Sequence, residues 1–190
     1  MDFEIPNDWS WSTVAEIASQ EKYACVGGPF GSNLSRRHYV SEPGVPVIRG
    51  KNLGSENTCF IDRDFVFVSD DKAHTLIQNL AYPGDLVFTQ RGTLGQVGWI
   101  PDSAQYAAYV VSQSQMKLTV DCERVDPGFV YSFFRSSWAL NSIERNAITT
   151  GVPHINLGIL RAFPIPLPPL PEQRRIAAVL GALDDKIELN

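Results

Sequence analysis

The chain has 190 residues, 44% of them hydrophobic, 19% charged and 11% aromatic, with a net charge of −5. That size and mix describe one globular domain, or one with a small appendage, and exclude a disordered or disulfide-stapled chain. No apolar run nears the ~20 residues of a membrane span, and the acidic opening lacks the basic-then-apolar order of a secretory signal. The three scattered cysteines (Cys25, Cys59 and Cys122) fit a reducing, cytoplasmic compartment and no zinc site.

The negative total argues against a grip on nucleic acid by bulk charge, but its distribution is uneven. Residues 1–21 carry five acids and no base, whereas residues 34–52 carry Arg36, Arg37, Arg49 and Lys51 against Glu42 alone. Between 127 and 171, Arg135, Arg145 and Arg161 face only Glu144.

In chain order, Thr13 and Glu16 fit a capping box that opens a short helix near 13–19. Tyr23–Val26 reads as a strand running into the glycine-rich stretch Gly27–Asn33. Val45–Arg49 and Phe65–Val68 are further strands, and Asp70-Asp71 open a helix near 70–80 with Ala73, Leu76, Ile77 and Leu80 as its apolar stripe. Asp85–Thr89 and Gln96–Ile100 form a hairpin about Arg91-Gly92-Thr93-Leu94-Gly95. Tyr109–Leu118 alternates as one strand with an amide-rich face. Residues 128–145 predict one amphipathic helix anchored by Phe129, Phe133, Leu140 and Ile143. Residues 164–170 read as a stiff proline-rich linker. From Pro171 a last helix carries Ile176, Leu180, Leu183 and Ile187 at the spacing of a coiled-coil seam. The fold class predicted is α/β, or α+β-like: a twisted mixed or antiparallel sheet with flanking helices, followed by a protruding C-terminal helix.

No catalytic constellation emerges. Gly44 and Gly50-Lys51 mimic a phosphate loop, but five residues intervene where the motif wants four, and Asn52 stands where a magnesium-binding hydroxyl belongs. Gly92, Gly95 and Gly98 have turn spacing, not dinucleotide-binding spacing. His38, His74 and His154 are isolated. The segment 164–171 lacks both the acid or amide and the aromatic of an adenine-methyltransferase loop.

Residues suited to reading DNA are better represented. Base edges are read by Arg, Lys, Asn and Gln presented at loop tips and strand ends, while hydroxyls and cations hold phosphates. Four segments supply these types: Ser32, Arg36 and Arg37 with Arg49, Lys51 and Asn52; Gln90, Arg91, Thr93 and Gln96; Gln113 and Gln115; and Thr149, Thr150 and His154. Recognition needs such groups presented together, so Arg36, Arg37, Arg49, Lys51, Gln90, Arg91, Thr93, Gln113 and Gln115 are expected to converge on one surface. Arg91 and the glutamines would reach bases; Arg36, Arg37 and Lys51 would meet phosphates.

Several stretches resemble the specificity subunits of type I restriction-modification systems. These are Ile5-Pro6-Asn7-Asp8-Trp9 with Trp11; the strand from Val45 to Leu53; Gly84–Phe88 with Arg91-Gly92-Thr93-Leu94-Gly95; and, most specifically, Ile165–Ile176 around Pro168-Pro169-Leu170-Pro171-Glu172-Gln173. The chain is similar to half of such a subunit: a DNA target-recognition domain (1–163), a proline-rich linker (164–170) and the start of a conserved spacer or dimerisation helix (171–190), truncated. The resemblance implies a non-catalytic role, reading one half of a bipartite target in double-stranded DNA. It implies methylation and restriction subunits as partners and, along the helix seam, either the second conserved helix of a longer subunit, if the chain is an N-terminal fragment, or a second copy of the chain, if it is a half-length subunit. It also implies that this chain holds no cofactor: S-adenosylmethionine would bind the methylation subunit, and ATP and magnesium the restriction subunit. Two alternatives stay open on the residues alone, the recognition domain of a single-chain adenine DNA methyltransferase and a protein-interaction module with no DNA role.

Overall fold

The computed structural model describes residues 4–41, 44–54 and 58–188, with side chains in the last helix described as far as Asp184. Eleven strands and six helices alternate among them. β1 (Ser10–Thr13) leads into the one-turn helix α1 (Val14–Ile17), then β2 (Cys25–Gly27), β3 (Tyr39–Val40), β4 (Val45–Ile48), β5 (Val66–Val68) and α2 (Asp70–Thr75). β6 (Leu80–Ala81), β7 (Leu86–Thr89), β8 (Val97–Trp99), β9 (Tyr109–Val111) and β10 (Gln115–Leu118) follow. The chain closes with α3 (Pro127–Phe134), α4 (Ser137–Asn146), α5 (Leu157–Arg161), β11 (Pro164–Leu167) and α6 (Leu170–Glu188).

The strands form three sheets where one was expected. β2-β10-β7-β8 is antiparallel throughout, β3-β5-β4-β9-β6 is mixed with β4 and β9 parallel, and β1 pairs with β11 alone. The period of two along each central strand sorts side chains into separate apolar layers. Leu86 and Phe88 of β7 pack with helical residues such as Val14, Phe129, Phe134 and Leu160, whereas Val87 turns into a cluster with Ile48, Tyr109 and Val111 of the five-stranded sheet. On that sheet's far side Val47, Val68 and Val110 meet Ala73 and Leu76 of α2. The order is therefore helices, sheet, sheet, helix.

Local chemistry explains the starts and stops. Thr13 caps α1 as its sequence suggests: its hydroxyl accepts from Glu16 N, and the Glu16 carboxylate accepts from Thr13 N at 2.8 Å. These contacts hold the Glu16 carboxyl below the usual carboxylate range. The helix lasts only to Ile17, since Ala18 turns extended. α2 likewise stops at Thr75. A tighter 3-10 turn, Ile77–Asn79, follows, Ile77 is exposed and Leu80 lies in β6.

Three expected elements are corrected. The single helix over 128–145 is two, because Ser136 adopts an extended backbone and its hydroxyl accepts from Ala139 N at 3.2 Å, starting a new helix. The strand Tyr109–Leu118 is also two. A turn at 112–115, closed by Gln115 N on Ser112 O at 3.1 Å, carries the chain from one sheet to the other. Alternating polarity suits either arrangement, because both partners bury the apolar positions. The stretch 164–167 is a strand and not a linker: Ile165 is buried, opposite Ser12 of β1. Its prolines are tolerated because a two-stranded pair leaves an edge without partners.

The seam of α6 is divided. Ile176 and Ala177 pack against the main core beside α3. Gln173 is buried, accepts from Asp126 N at 2.9 Å and donates to Pro168 O at 2.8 Å and Arg124 O at 3.1 Å, and Arg135 pairs with Asp184. One side of the helix, from Gln173 to Asp184, is thus fastened to the body, and the large apolar side chains of Val179, Leu180 and Leu183 stand exposed. The side chain of Ile187 lies outside the described residues. No helix among the described residues is long and apolar enough to cross a membrane.

Candidate nucleic-acid interface

The carboxyl end of β7 and the amino end of β10 lie side by side, with Thr89 opposite Gln115. Their register is locked at the other end. Lys117 Nζ lies 3.3 Å from Asp85 Oδ2 with both side chains nearly enclosed, and Asp85 also accepts from Thr119 Oγ1 and from Tyr82 N at 2.9 Å. Burial pushes the Asp85 carboxyl up from its ordinary value against the pull of Lys117 and these donors. A slip of one residue would part this buried pair, so it fixes which side chains meet at the open end.

At that open end is a groove of about 540 Å³. β4 delivers Arg49, Gly50 and Lys51 to one wall; the β7–β8 hairpin delivers Arg91, Gly92, Thr93 and Gln96; the 112–115 turn supplies Ser112, Ser114 and Gln115. Three cations line it and no carboxylate does. The groove is therefore a positive site on a protein whose total charge is negative. Gly92 and Gly95 adopt φ of +121° and +83°, which side-chain-bearing residues seldom do, and so let the chain turn between β7 and β8. Arg49 is steered by Nη2 donating to Asp64 O at 3.3 Å, and the Gln115 side chain, expected to reach bases, is instead buried and accepts from the Ser112 hydroxyl.

Of the residues expected to converge, Arg49, Lys51, Arg91, Thr93 and Gln115 do, together with Gln96. His154 sits alongside through a backbone bridge with Arg91, and Ile155 N donates to Gln90 O at 3.0 Å. This holds the 148–154 loop, with Thr149 and Thr150 exposed at its tip, next to the hairpin. Gln90 lies beside β2, its Oε1 3.7 Å from the position a Cβ would take on Gly27.

Two amides have other work. Asn52 is fully buried, accepts from Arg49 N at 3.1 Å and donates to Arg63 O at 2.8 Å and Ile61 O at 3.2 Å, so it shapes the turn that presents Lys51. The Gln113 amide donates to the carbonyls of Gly31 and Leu34 and anchors that loop. Ser32, Arg36 and Arg37 are exposed on the same loop and are not among the groove's lining residues. Thr89, Ser112 and Ser114, which belong to the same Thr89–Gln96 and Ser112–Gln115 segments as the expected residues, line the groove as well. No group of three His, Cys, Asp or Glu side chains able to hold a metal occurs among the described residues.

Residues 41–190 match the family model of the type I restriction modification DNA specificity domain. The chain belongs to that family. Among curated members, the MjaVIII specificity subunit of Methanocaldococcus jannaschii is 24% identical over 190 residues, and a protein of the same organism described as the MjaX specificity subunit is 26% identical. Each alignment takes in 98% of this chain but only 42% and 39% of the relative, so the chain spans about two fifths of the specificity subunits it matches. The fold agrees. A subunit solved for complex assembly and conformational transition of the type I R-M system superposes with a TM-score of 0.71 over 98% of this chain and 41% of its own, at 19% identity. The HsdS subunit from Thermoanaerobacter tengcongensis gives 0.67 over 98% and 40%, also at 19% identity.

Proposed function

We propose that this specificity-family chain reads one half of a bipartite sequence in double-stranded DNA, and that it does so through the groove between the β7–β8 hairpin, Arg49–Lys51 and the 112–115 turn. The observation that carries the reading is the company of three cations, two glutamines and several hydroxyls, with no carboxylate, at one strand-end groove. Such a set can donate to guanine O6 and N7, pair with adenine through an amide, and neutralise phosphates. Arg91 and Gln96 are the base readers in this reading; Gln115, buried and bonded to Ser112, supports the wall behind them, and Arg49, Lys51 and the Ser and Thr hydroxyls hold the backbone. The chain does no chemistry itself and acts in the cytoplasm, positioning methylation and restriction subunits that bring their own S-adenosylmethionine, ATP and magnesium. The exposed face of α6 (Val179, Leu180 and Leu183) pairs with a second such helix, from another copy or from the remainder of a full-length subunit.

The test compares Arg91→Ala with Lys51→Ala in the assembled complex, read by sequencing of methylated sites and by DNA-binding titration. Arg91→Ala should relax the sequence methylated, at ~1–3 kcal/mol for one lost bidentate contact. Lys51→Ala should weaken all sequences alike and flatten the salt dependence. Unchanged sites and unchanged affinity in both variants would refute the assignment.

A further inference from the structure

Phe30 is 90% exposed, far more than any other large hydrophobic side chain among the described residues. A phenyl ring left in water forgoes a substantial burial gain, and this one is held by its neighbours instead of folding back onto the body. The segment that carries it, Gly28-Pro29-Phe30-Gly31, is tied down on both sides. Gly28 N donates to Gln115 O at 2.8 Å, and Gly28 approaches Ser112 so closely that a Cβ there would lie 1.9 Å from the Ser112 carbonyl oxygen. Beyond the ring, Asn33 N donates to Phe30 O at 3.1 Å, and the Gln113 amide holds Gly31 O and Leu34 O. The same 112–115 turn that walls the basic groove therefore anchors the segment that carries the ring.

We propose that Phe30 is a wedge that inserts into a base step of the duplex lying over the groove. The proposal rests on the DNA reading above and adds a contact of a different kind. Apolar side chains inserted between base pairs partly unstack them and bend the duplex. The surroundings favour nucleic acid over a protein pocket. From Lys22 to Ser41 the chain carries Lys22, Arg36 and Arg37 and no carboxylate, and Gly31, Ser32 and Asn33 beside the ring are exposed, small or polar. A protein hot spot sits instead in a desolvated patch ringed by further contacts. A ring has no hydrogen-bond code, so its contribution is largely indifferent to sequence, in contrast to Arg91 and Gln96.

The test uses the full chain and a duplex longer than one helical turn, labelled at both ends for energy transfer, with binding followed by anisotropy. Wild type and Phe30→Trp should bend the duplex on binding. Phe30→Ala should lose the bend and bind about tenfold more weakly, the loss of one aromatic–base stack, while keeping the wild-type salt slope. Lys51→Ala should show the converse, a shallower salt slope with the bend retained at saturation. Phe30→Ala that binds and bends like wild type while Lys51→Ala is impaired overturns the wedge and leaves the DNA reading intact. If Phe30→Ala in addition fails to co-purify with the methylation subunit, the ring is a protein contact and the wedge is wrong. A wild-type chain that binds no duplex overturns both.

Discussion

At the scale of single residues, the side chains that matter most for the groove are not all in it. Asp85 and Lys117 lie at the far end of the β7–β10 pair, enclosed together. Asp85→Asn should leave the Lys117 ammonium buried without a counter-charge and cost ~3–5 kcal/mol in denaturant unfolding. Asp85→Leu with Lys117→Met should recover most of that loss, because no charge is then left to desolvate. Gln113→Ala should lower stability by only ~1 kcal/mol yet raise hydrogen exchange across 28–34, since it removes an anchor and not a base contact. Tyr131 shows the sign of a buried phenol: burial raises it to about 12. The unfolded chain ionises first, near ~10. The contribution is thus complete below that pH and is lost as pH rises through about 12. Tyr131→Phe should flatten the alkaline limb of denaturant midpoints in part; Tyr109, pushed higher still by burial and by its hydrogen bond to Asp62, and the Cys25 and Cys122 thiols, raised by burial, contribute slope of the same sign.

At the scale of elements, the chain is read correctly where one local force dominates and differently where two compete. The capping box at Thr13–Glu16 and the β7–β8 hairpin need only neighbouring residues, and both form. Ser136 competes with a continuous helical stripe and wins, because a hydroxyl cap satisfies backbone N–H groups that the kinked chain leaves exposed. The proline-rich end competes with its own stiffness: extended φ suits a linker or a strand, and β1 is present to pair with it. That pairing buries Ile165, so Ile165→Ala should cost ~2–5 kcal/mol in thermal or denaturant unfolding.

At the scale of the whole molecule, the positive groove and the exposed face of α6 are separate surfaces with separate tests. Each phosphate neutralised on duplex DNA contributes about −0.9 to the slope of log affinity against log salt, so Arg49 and Lys51 together should give a slope of about −2, with Arg91 engaged on a base edge. Extra steepness would bring Arg36 and Arg37 into the interface. On α6, Leu183→Asp should leave the unfolding midpoint unchanged, since the residue is 51% exposed, while abolishing concentration-dependent association in sedimentation. Association that survives this change would move the pairing surface elsewhere.

The family, the mixture of strands and helices, the hairpin with its turn glycines, and the residue types that can read DNA are all legible in the amino-acid sequence. All of these depend on local spacing and on side-chain chemistry. Only the tertiary structure decided which of those residues meet. Arg49, Lys51, Arg91, Gln96 and Gln115 come from three segments, and their meeting depends on the Thr89–Gln115 register that Asp85 and Lys117 hold. It also decided that Asn52 and Gln113 serve the backbone, that Tyr109–Leu118 crosses between sheets, and that Ile176 belongs to the core while Leu183 does not. An amide has the same donors and acceptors whether it faces a base or a carbonyl, and a leucine the same apolar surface whether it meets a core or solvent. Which partner each finds is settled by long-range packing, and local sequence carries no record of it.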